Sequence, residues 1–151
     1  MVLQKQVPQE QVLLYNYFRS SASYRVRIAL HYKKIPFKYI PVHLVKNGGE
    51  QFLTEYKKLN PQAQVPCLVM NGRPICQSMA IIQYLEDICP EPRVFPTDHY
   101  EKAIVTQICE AFNSGIQPLQ NLTVLAKLES LLPPPSASTL AASATPTTSP
   151  D

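Results

Sequence analysis

Three short stretches of this chain hold residue types whose chemistry depends on where the backbone places them. Ser20, Ser21 and Ser23, interleaved with Ala22 and followed by Tyr24 and Arg25, sit where an apolar run gives way to helical periodicity. Hydroxyl donors at the start of a helix, beside the positive end of its dipole, favour a thiolate; such settings lower a thiol pKa from roughly 8.5 to as little as 3.5–7.5. No cysteine occupies this turn, so dithiol exchange is excluded there and any thiol must arrive with a ligand. Gln77 and Ser78 open a later helix. Ser78 reads as its N-cap, and the unsatisfied amides of that turn also make a carboxylate site. Between these two lies NPQAQVP at 60–66, with two prolines flanking Gln62, Ala63, Gln64 and Val65 just before an apolar strand.

The elements that must position these residues follow from periodicity. Residues 12–17 form a short apolar and aromatic run that suits a buried strand. The helix after it carries two stripes, one of Tyr24, Ile28 and His31 and another of Val26, Ala29, Leu30 and Lys33; Lys33 and Lys34 suit its negative C-terminal end. Residues 37–44 alternate like a strand, with Pro41 marking an edge. Asn47, Gly48 and Gly49 turn the chain into a short helix bearing Phe52, Tyr56 and Leu59. A strand at 67–70 meets Asn71 and Gly72, a hairpin signal, and a second strand at 74–76. The helix at 78–89 buries Ala80 or Ile81, Tyr84 or Leu85, and Ile88, before Pro90 and Pro92 stop it.

The order βαβαββα over 12–90, with a parallel pair followed by an antiparallel hairpin, is that of a thioredoxin-like α/β domain on a mixed sheet. In that architecture the proline before the third strand is cis, which leaves the N–H and C=O of Val65 open to an extended peptide. A peptide along Val65 reaches Gln77 and Ser78 with its carboxylate and the serine turn with its thiol. These three partial sites together describe glutathione. Beyond a proline linker, Thr97 and Asp98 cap a helix with Glu101 completing a capping box and Ile104, Ile108 and Phe112 as its stripe. Gly115 ends it, and Leu119, Leu122, Leu125 and Leu128 outline another helix. The domain reading is therefore a flexible arm at 1–11, the thioredoxin-like domain at 12–90, a partial helical domain at 91–132 and a disordered Pro, Ser, Thr and Ala tail at 133–151.

Composition narrows the class. Of 151 residues, 45% are hydrophobic and 17% charged, which is globular, and 14 Lys and Arg against 11 Asp and Glu leave only +3, too little for a nucleic-acid partner. No stretch has the length of a membrane span or the form of a signal peptide, so a soluble intracellular protein is expected. Cys67, Cys76, Cys89 and Cys109 lack zinc-ligand spacing; no metal is expected, and the four read as reduced, mostly buried thiols.

Residues 20–30, SSASYRVRIAL, resemble the zeta-class glutathione transferase signature SSCxWRVRIAL. NPxxQVP at 60–66, QSxAIIxYLE at 77–86 and SGIQPLQNLxVL at 114–125 resemble the same class, so the likeness runs over about 12–125. This class contains maleylacetoacetate isomerase. The resemblance implies that Ser20 or Ser21 is catalytic, hydrogen-bonding the glutathione sulfur beside Ala22, Ser23, Tyr24 and Arg25. It implies that Gln51 and Val65 hold the peptide and that Gln77 and Ser78 take the γ-glutamyl carboxylate. Gln117, Asn121, Leu122 and Thr123 match the class's contacts from its all-α C-terminal domain, with Thr123 in place of Ser. Arg25 and Arg27 read as structural.

The activity so implied is glutathione-dependent cis–trans isomerisation of maleylacetoacetate to fumarylacetoacetate in phenylalanine and tyrosine catabolism. Transferase activity on α-haloacids would accompany it. A homodimer in the cytoplasm, with a mitochondrial pool, is the corresponding assembly and location. Two departures bear on this. Ala22 and Tyr24 replace the class's Cys and Trp, and the helices that follow NLxVL in the class give way here to the Pro, Ser, Thr and Ala tail, a truncated helical domain. The alternative reading is a glutathione-binding or dimer-forming module without turnover.

Overall fold

The computed structural model describes residues 11–132. The tail expected at 133–151, and all but Gln11 of the arm expected at 1–11, lie outside the described residues. The chain divides into two units, with the boundary between Pro96 and Thr97.

In the first unit the sheet is built around β1 (Leu13–Asn16), with β2 (Lys38–Pro41), β3 (Cys67–Met70) and β4 (Arg73–Cys76) in the order β2-β1-β3-β4. β1 runs parallel to β2 and antiparallel to β3, and β3 is antiparallel to β4. Helices α1 (Ser21–Tyr32), α2 (Thr54–Leu59) and α3 (Ser78–Ile88) complete the thioredoxin-like arrangement that the element order implies. Pro41 lies on an edge strand, where a missing N–H costs no ladder bond. Residues 37–44 extend as strand only over Lys38–Pro41.

Alternation along the strands divides the core between two faces. Leu14, Leu68, Val26, Leu30, Ile81 and Leu85 are fully buried, and α1 packs on α3. Of the two stripes legible on α1, the one with Val26, Ala29 and Leu30 is buried, together with Ser23, while Tyr24 and Ile28 are exposed. On α3 the inward residues are Ile81, Ile82 and Leu85. The opposite face gathers Val42, Tyr56, Cys67 and Val69, with Leu13, Tyr15, Leu59, Val65 and Cys76 against them. Phe52 does not join α2 as expected. Leu53 is extended (φ −62°, ψ 142°) and interrupts the helix, so Phe52 stays exposed in a preceding 3-10 turn.

Lys33 is more than a charge at a helix end. It is buried, pairs with Glu86 at 2.6 Å and donates to the carbonyls of Cys89 (2.6 Å) and Pro92 (3.1 Å). A buried ammonium needs this full set of acceptors to offset its lost hydration. The thiols also differ from expectation. All four cysteines are free, but only Cys67 is buried; Cys76 lies on an edge strand, Cys89 at the end of α3 and Cys109 in the second unit, where cover is partial.

The second unit contains α4 (His99–Glu110) and α5 (Leu122–Leu131). Asp98 is the N-cap of α4 and accepts from the Glu101 N–H at 2.9 Å. Gly115 does not end this helix. It sits in a π-helical turn at Ala111–Ile116, followed by a 3-10 turn at Gln117–Gln120. The glycines with positive φ are Gly48, Gly49 and Gly72, so Gly115 supplies no left-handed terminator. Leu119 falls in the 3-10 turn, before α5. No helix is long and apolar enough to cross a membrane among the described residues.

Candidate functional site: three segments at one corner of the sheet

The chain leaves β1 at Asn16, turns through 17–20 and enters α1. Ser20 is the N-cap, its hydroxyl oxygen accepting from the Ser23 N–H at 3.1 Å. Capping uses only a lone pair, so the Ser20 O–H remains a donor. Ser23 is buried and accepts from the Tyr17 N–H at 3.5 Å, which closes the turn from inside. Ser21 is exposed in the first turn of α1, Ala22 is half-buried and Tyr24 is exposed. The first turn carries no acidic residue to oppose an anion.

The two arginines of α1 behave differently. Arg27 donates to Asn16 Oδ1 at 2.8 Å and to the carbonyls of Tyr17 and Phe18 at 3.3 Å, and its guanidinium lies 5.2 Å from the Tyr24 ring centre. It braces the β1–α1 turn. Arg25 reaches across to α3 and donates to Ser78 Oγ at 3.1 Å. Ser78 is therefore not the N-cap. Gln77 takes that position with φ 72° and no capping side-chain bond, while Ser78 is buried within the first turn of α3.

The loop before β3 joins the same corner. The Val65–Pro66 bond is cis, and among the described residues no hydrogen bond engages the Val65 N–H or C=O. Gln77 Nε2 donates to Gln62 Oε1 at 2.6 Å, tying this loop to the start of α3. Tyr56 Oη (2.5 Å) and Asn60 Nδ2 (2.7 Å) both donate to the Gln64 carbonyl, and Asn60 Oδ1 accepts from the Gln62 N–H. Burial, with the nearby Cys67 and Cys76 thiols, pushes the Tyr56 phenol far above its usual value, so it remains a donor at any working pH. Gln62, Asn60 and Tyr56 join the site here, beyond the residues that the motifs mark. The Asn60–Pro61 pair was the available signal, since Asn before Pro initiates turns. The Gln62–Gln77 contact had none.

Gln51 lies in a 3-10 turn at Glu50–Phe52 and is buried. Its Nε2 donates to the Leu44 carbonyl at 3.2 Å, while its Oε1 is buried without a partner among the described residues. Gly49, at φ +100°, makes room for it: a Cβ there would stand 2.6 Å from Gln51 Nε2. The structure thus links Arg25, Ser78, Gln77 and the 60–66 loop by hydrogen bonds, with Ser20 at the head of α1 and Gln51 offering an unfilled acceptor. Gln117, Asn121, Leu122 and Thr123 belong to the second unit. Asn121 is the N-cap of α5 and accepts from the Thr123 N–H at 2.9 Å. Among the described residues no cluster of His, Cys, Asp and Glu could hold a metal ion.

Comparison with known proteins gives this corner its context. The family model of the glutathione S-transferase N-terminal domain matches residues 10–87. Maleylacetoacetate isomerase of Mus musculus is 52% identical over 116 residues, which cover 77% of this chain and 54% of that protein. The holo structure of maleyl pyruvate isomerase, a bacterial zeta-class glutathione S-transferase, superposes with a TM-score of 0.74 at 38% identity, covering 78% of this chain and 54% of that one. The maleylacetoacetate isomerase of Anaeromyxobacter dehalogenans 2CP-1, with glutathione bound in its active site, gives 0.69 at 40% identity, covering 82% and 58%. The chain spans about half the length of these relatives. The family match extends over more than half of the chain and over every element that builds the corner: this protein belongs to the glutathione S-transferase family, whose N-terminal domain it carries.

Proposed function

We propose that the chain binds glutathione and catalyses the glutathione-dependent cis–trans isomerisation of maleylacetoacetate to fumarylacetoacetate, with transferase activity on α-haloacids. The observation that carries this reading is the 3.1 Å bond from Arg25 to Ser78, which brings the N-termini of α1 and α3 to one corner. The residues present fit the tripeptide. The buried, unpartnered Gln51 Oε1 calls for an N–H donor, and the Val65 peptide groups suit an extended backbone. When bound, glutathione supplies the nucleophilic sulfur.

The chain's own residues do the rest. Ser20, capping through its oxygen, donates its hydrogen to the sulfur and favours the thiolate, and Ser21 is the second candidate for that bond. Ser78 and Gln77 receive a carboxylate at the positive end of α3. Arg25 holds Ser78 in place and adds positive charge that attracts an anionic diacid. Ala22 and Tyr24 line the turn without a thiol of their own. Gln117, Asn121, Leu122 and Thr123 are assigned to the same ligand on the strength of the SGIQPLQNLxVL likeness. On the resemblance to the zeta class, the reading extends to a cytoplasmic homodimer acting in phenylalanine and tyrosine breakdown.

A second reading, a glutathione-binding module without turnover, draws support from the second unit, where no described residue is buried. Binding to immobilised glutathione followed by an isomerisation assay separates the two. Retention with turnover is the expected result, retention alone selects the binding module, and failure of freshly folded protein to be retained overturns the site. Ser20→Ala and Ser21→Ala, assayed singly, identify the sulfur's partner; undiminished turnover in both removes the hydroxyl role.

A further inference from the structure

Cys67 and Cys76 take no part in the site described above, yet they are exact register partners on β3 and β4. The hairpin between them closes on Asn71 and Gly72, both at positive φ (53° and 69°), which is a two-residue type I′ turn. Its closing pair, Met70 and Arg73, is hydrogen-bonded, so the alternation makes Val69–Pro74 non-hydrogen-bonded, Leu68–Ile75 bonded and Cys67–Cys76 non-hydrogen-bonded. Pro74, which has no N–H, agrees with that phase. Non-hydrogen-bonded partners have Cα atoms about 4.5 Å apart and side chains on one face. A disulfide needs Cα atoms about 4.4–6.8 Å apart. Both side chains lie in the cluster that holds Tyr56 and Leu59, where the Cys76 thiol donates to the Leu59 carbonyl at 3.7 Å and the Cys67 thiol to the Leu68 carbonyl at 4.0 Å.

Their exposure is unequal. Cys67 is fully buried and Cys76 only partly. The Cys67 thiol opposite holds the Cys76 thiol below its usual value despite burial, while the same pairing, together with burial, pushes Cys67 up. Cys76 is thus the partly exposed member of the pair, and Cys67 is sheltered directly opposite. We propose that Cys67 and Cys76 are a dithiol–disulfide exchange centre whose substrate is a low-molecular-weight disulfide, with Cys76 attacking and Cys67 resolving. The Cys76 thiolate attacks one sulfur of the small disulfide, forming a mixed disulfide and expelling the other half as a thiolate, which takes up a proton. Cys67 then loses its proton and attacks Cys76 Sγ, forming the protein disulfide and expelling the second thiol. Two protein thiols are oxidised and one small disulfide is reduced to two thiols, so no other oxidant is consumed. The exchange itself does not rest on the proposed glutathione site, since any small disulfide that reaches Cys76 suffices.

The test treats the full chain with hydroxyethyl disulfide and, separately, with glutathione disulfide, followed by intact mass and peptide mapping. The expected product is lighter by two hydrogens, carries a Cys67–Cys76 linkage and returns to the dithiol with excess reductant. Cys67→Ala should stop at a mixed disulfide on Cys76, and Cys76→Ser, at the half-buried position, should lose both products. Linkage with hydroxyethyl disulfide but not with glutathione disulfide supports the exchange centre and limits its substrate to the smaller disulfide, while retention on immobilised glutathione tests the tripeptide site separately. Four unmodified thiols with both probes, or modification confined to Cys89 and Cys109, overturns the proposal.

Discussion

In the first unit the apolar stripes of α1 and α3 close on a sheet, whereas in the second the stripes of α4 and α5 stay open. Leu14, Leu30, Leu68, Ile81 and Leu85 are fully buried, while Ile108 and Phe112 are more than half exposed and Leu131 is 67% exposed. Both units have amphipathic helices with comparable spacing of apolar residues. Periodicity therefore establishes a helix and its apolar face, but a core also needs a second surface to receive that face. The candidate site belongs to the unit that has one, and its hydroxyls and amides are carried by elements packed on that core.

The largest contrast should come from a charge that the first unit buries together with its acceptors. Lys33→Met removes the partner of Glu86 and the donor to two carbonyls, and should cost about 3–5 kcal/mol in denaturant unfolding. A loss below 1 kcal/mol would mean that the pocket is wetter than its burial indicates. Leu68→Ala comes next, at about 2–5 kcal/mol. Ile108→Ala, on the exposed stripe of α4, should stay within about 0.5 kcal/mol. Equal costs at the two positions would break the comparison outright.

Acid sharpens it further. Burial opposes ionisation of Glu86, but the bonds it accepts from Lys33 and from the Val94 and Phe95 N–H groups outweigh that and hold its carboxyl below the ordinary 4.5. A depressed folded pKa contributes stability that is present above the unfolded value and lost as pH falls through the folded one. The stability difference between the native chain and Glu86→Gln should therefore be constant at neutral pH and shrink as the medium is acidified below about 4.5. A difference that does not change with pH would show that Glu86 is not titrating in this pair.

What could be read in advance follows the range of each interaction. The β1–α1–β2 unit, the Asn71–Gly72 hairpin and the buried face of α3 are written in local patterns of period 2 or 3.6, and the serine turn, NPxxQVP and QS motifs lie in continuous sequence. Lys33 meets Glu86, Cys89 and Pro92 from more than fifty positions away, and nothing near it announces that it is buried. Ser78 looked like a cap because Ser commonly is one. The left-handed turn at Gln77 and the reach of Arg25 across 53 positions gave it another role. Gly115 looked like a stop because glycine often is one, yet the chain stays helical through a π turn.

The smallest effects test the other side of the comparison, since helices without a core depend on their ends. α4 and α5 are capped by Asp98 and Asn121, as α1 is by Ser20. Replacing any one cap by Ala removes about 0.5–2 kcal/mol locally, but the consequence should differ by unit. α1 is held by Val26, Ala29 and Leu30 in the core, so Ser20→Ala should lower the global unfolding free energy and leave the helicity of 21–32 unchanged. α4 and α5 bury none of their residues, and short helices without tertiary support are marginal in water. Asp98→Ala and Asn121→Ala should therefore fray the first turns of α4 and α5, seen as a loss of helical Cα chemical shifts, with the unfolding of the first unit unmoved. Fraying of α1 on loss of its cap, or unchanged shifts in α4 and α5, would show that burial does not decide which helices lean on their caps.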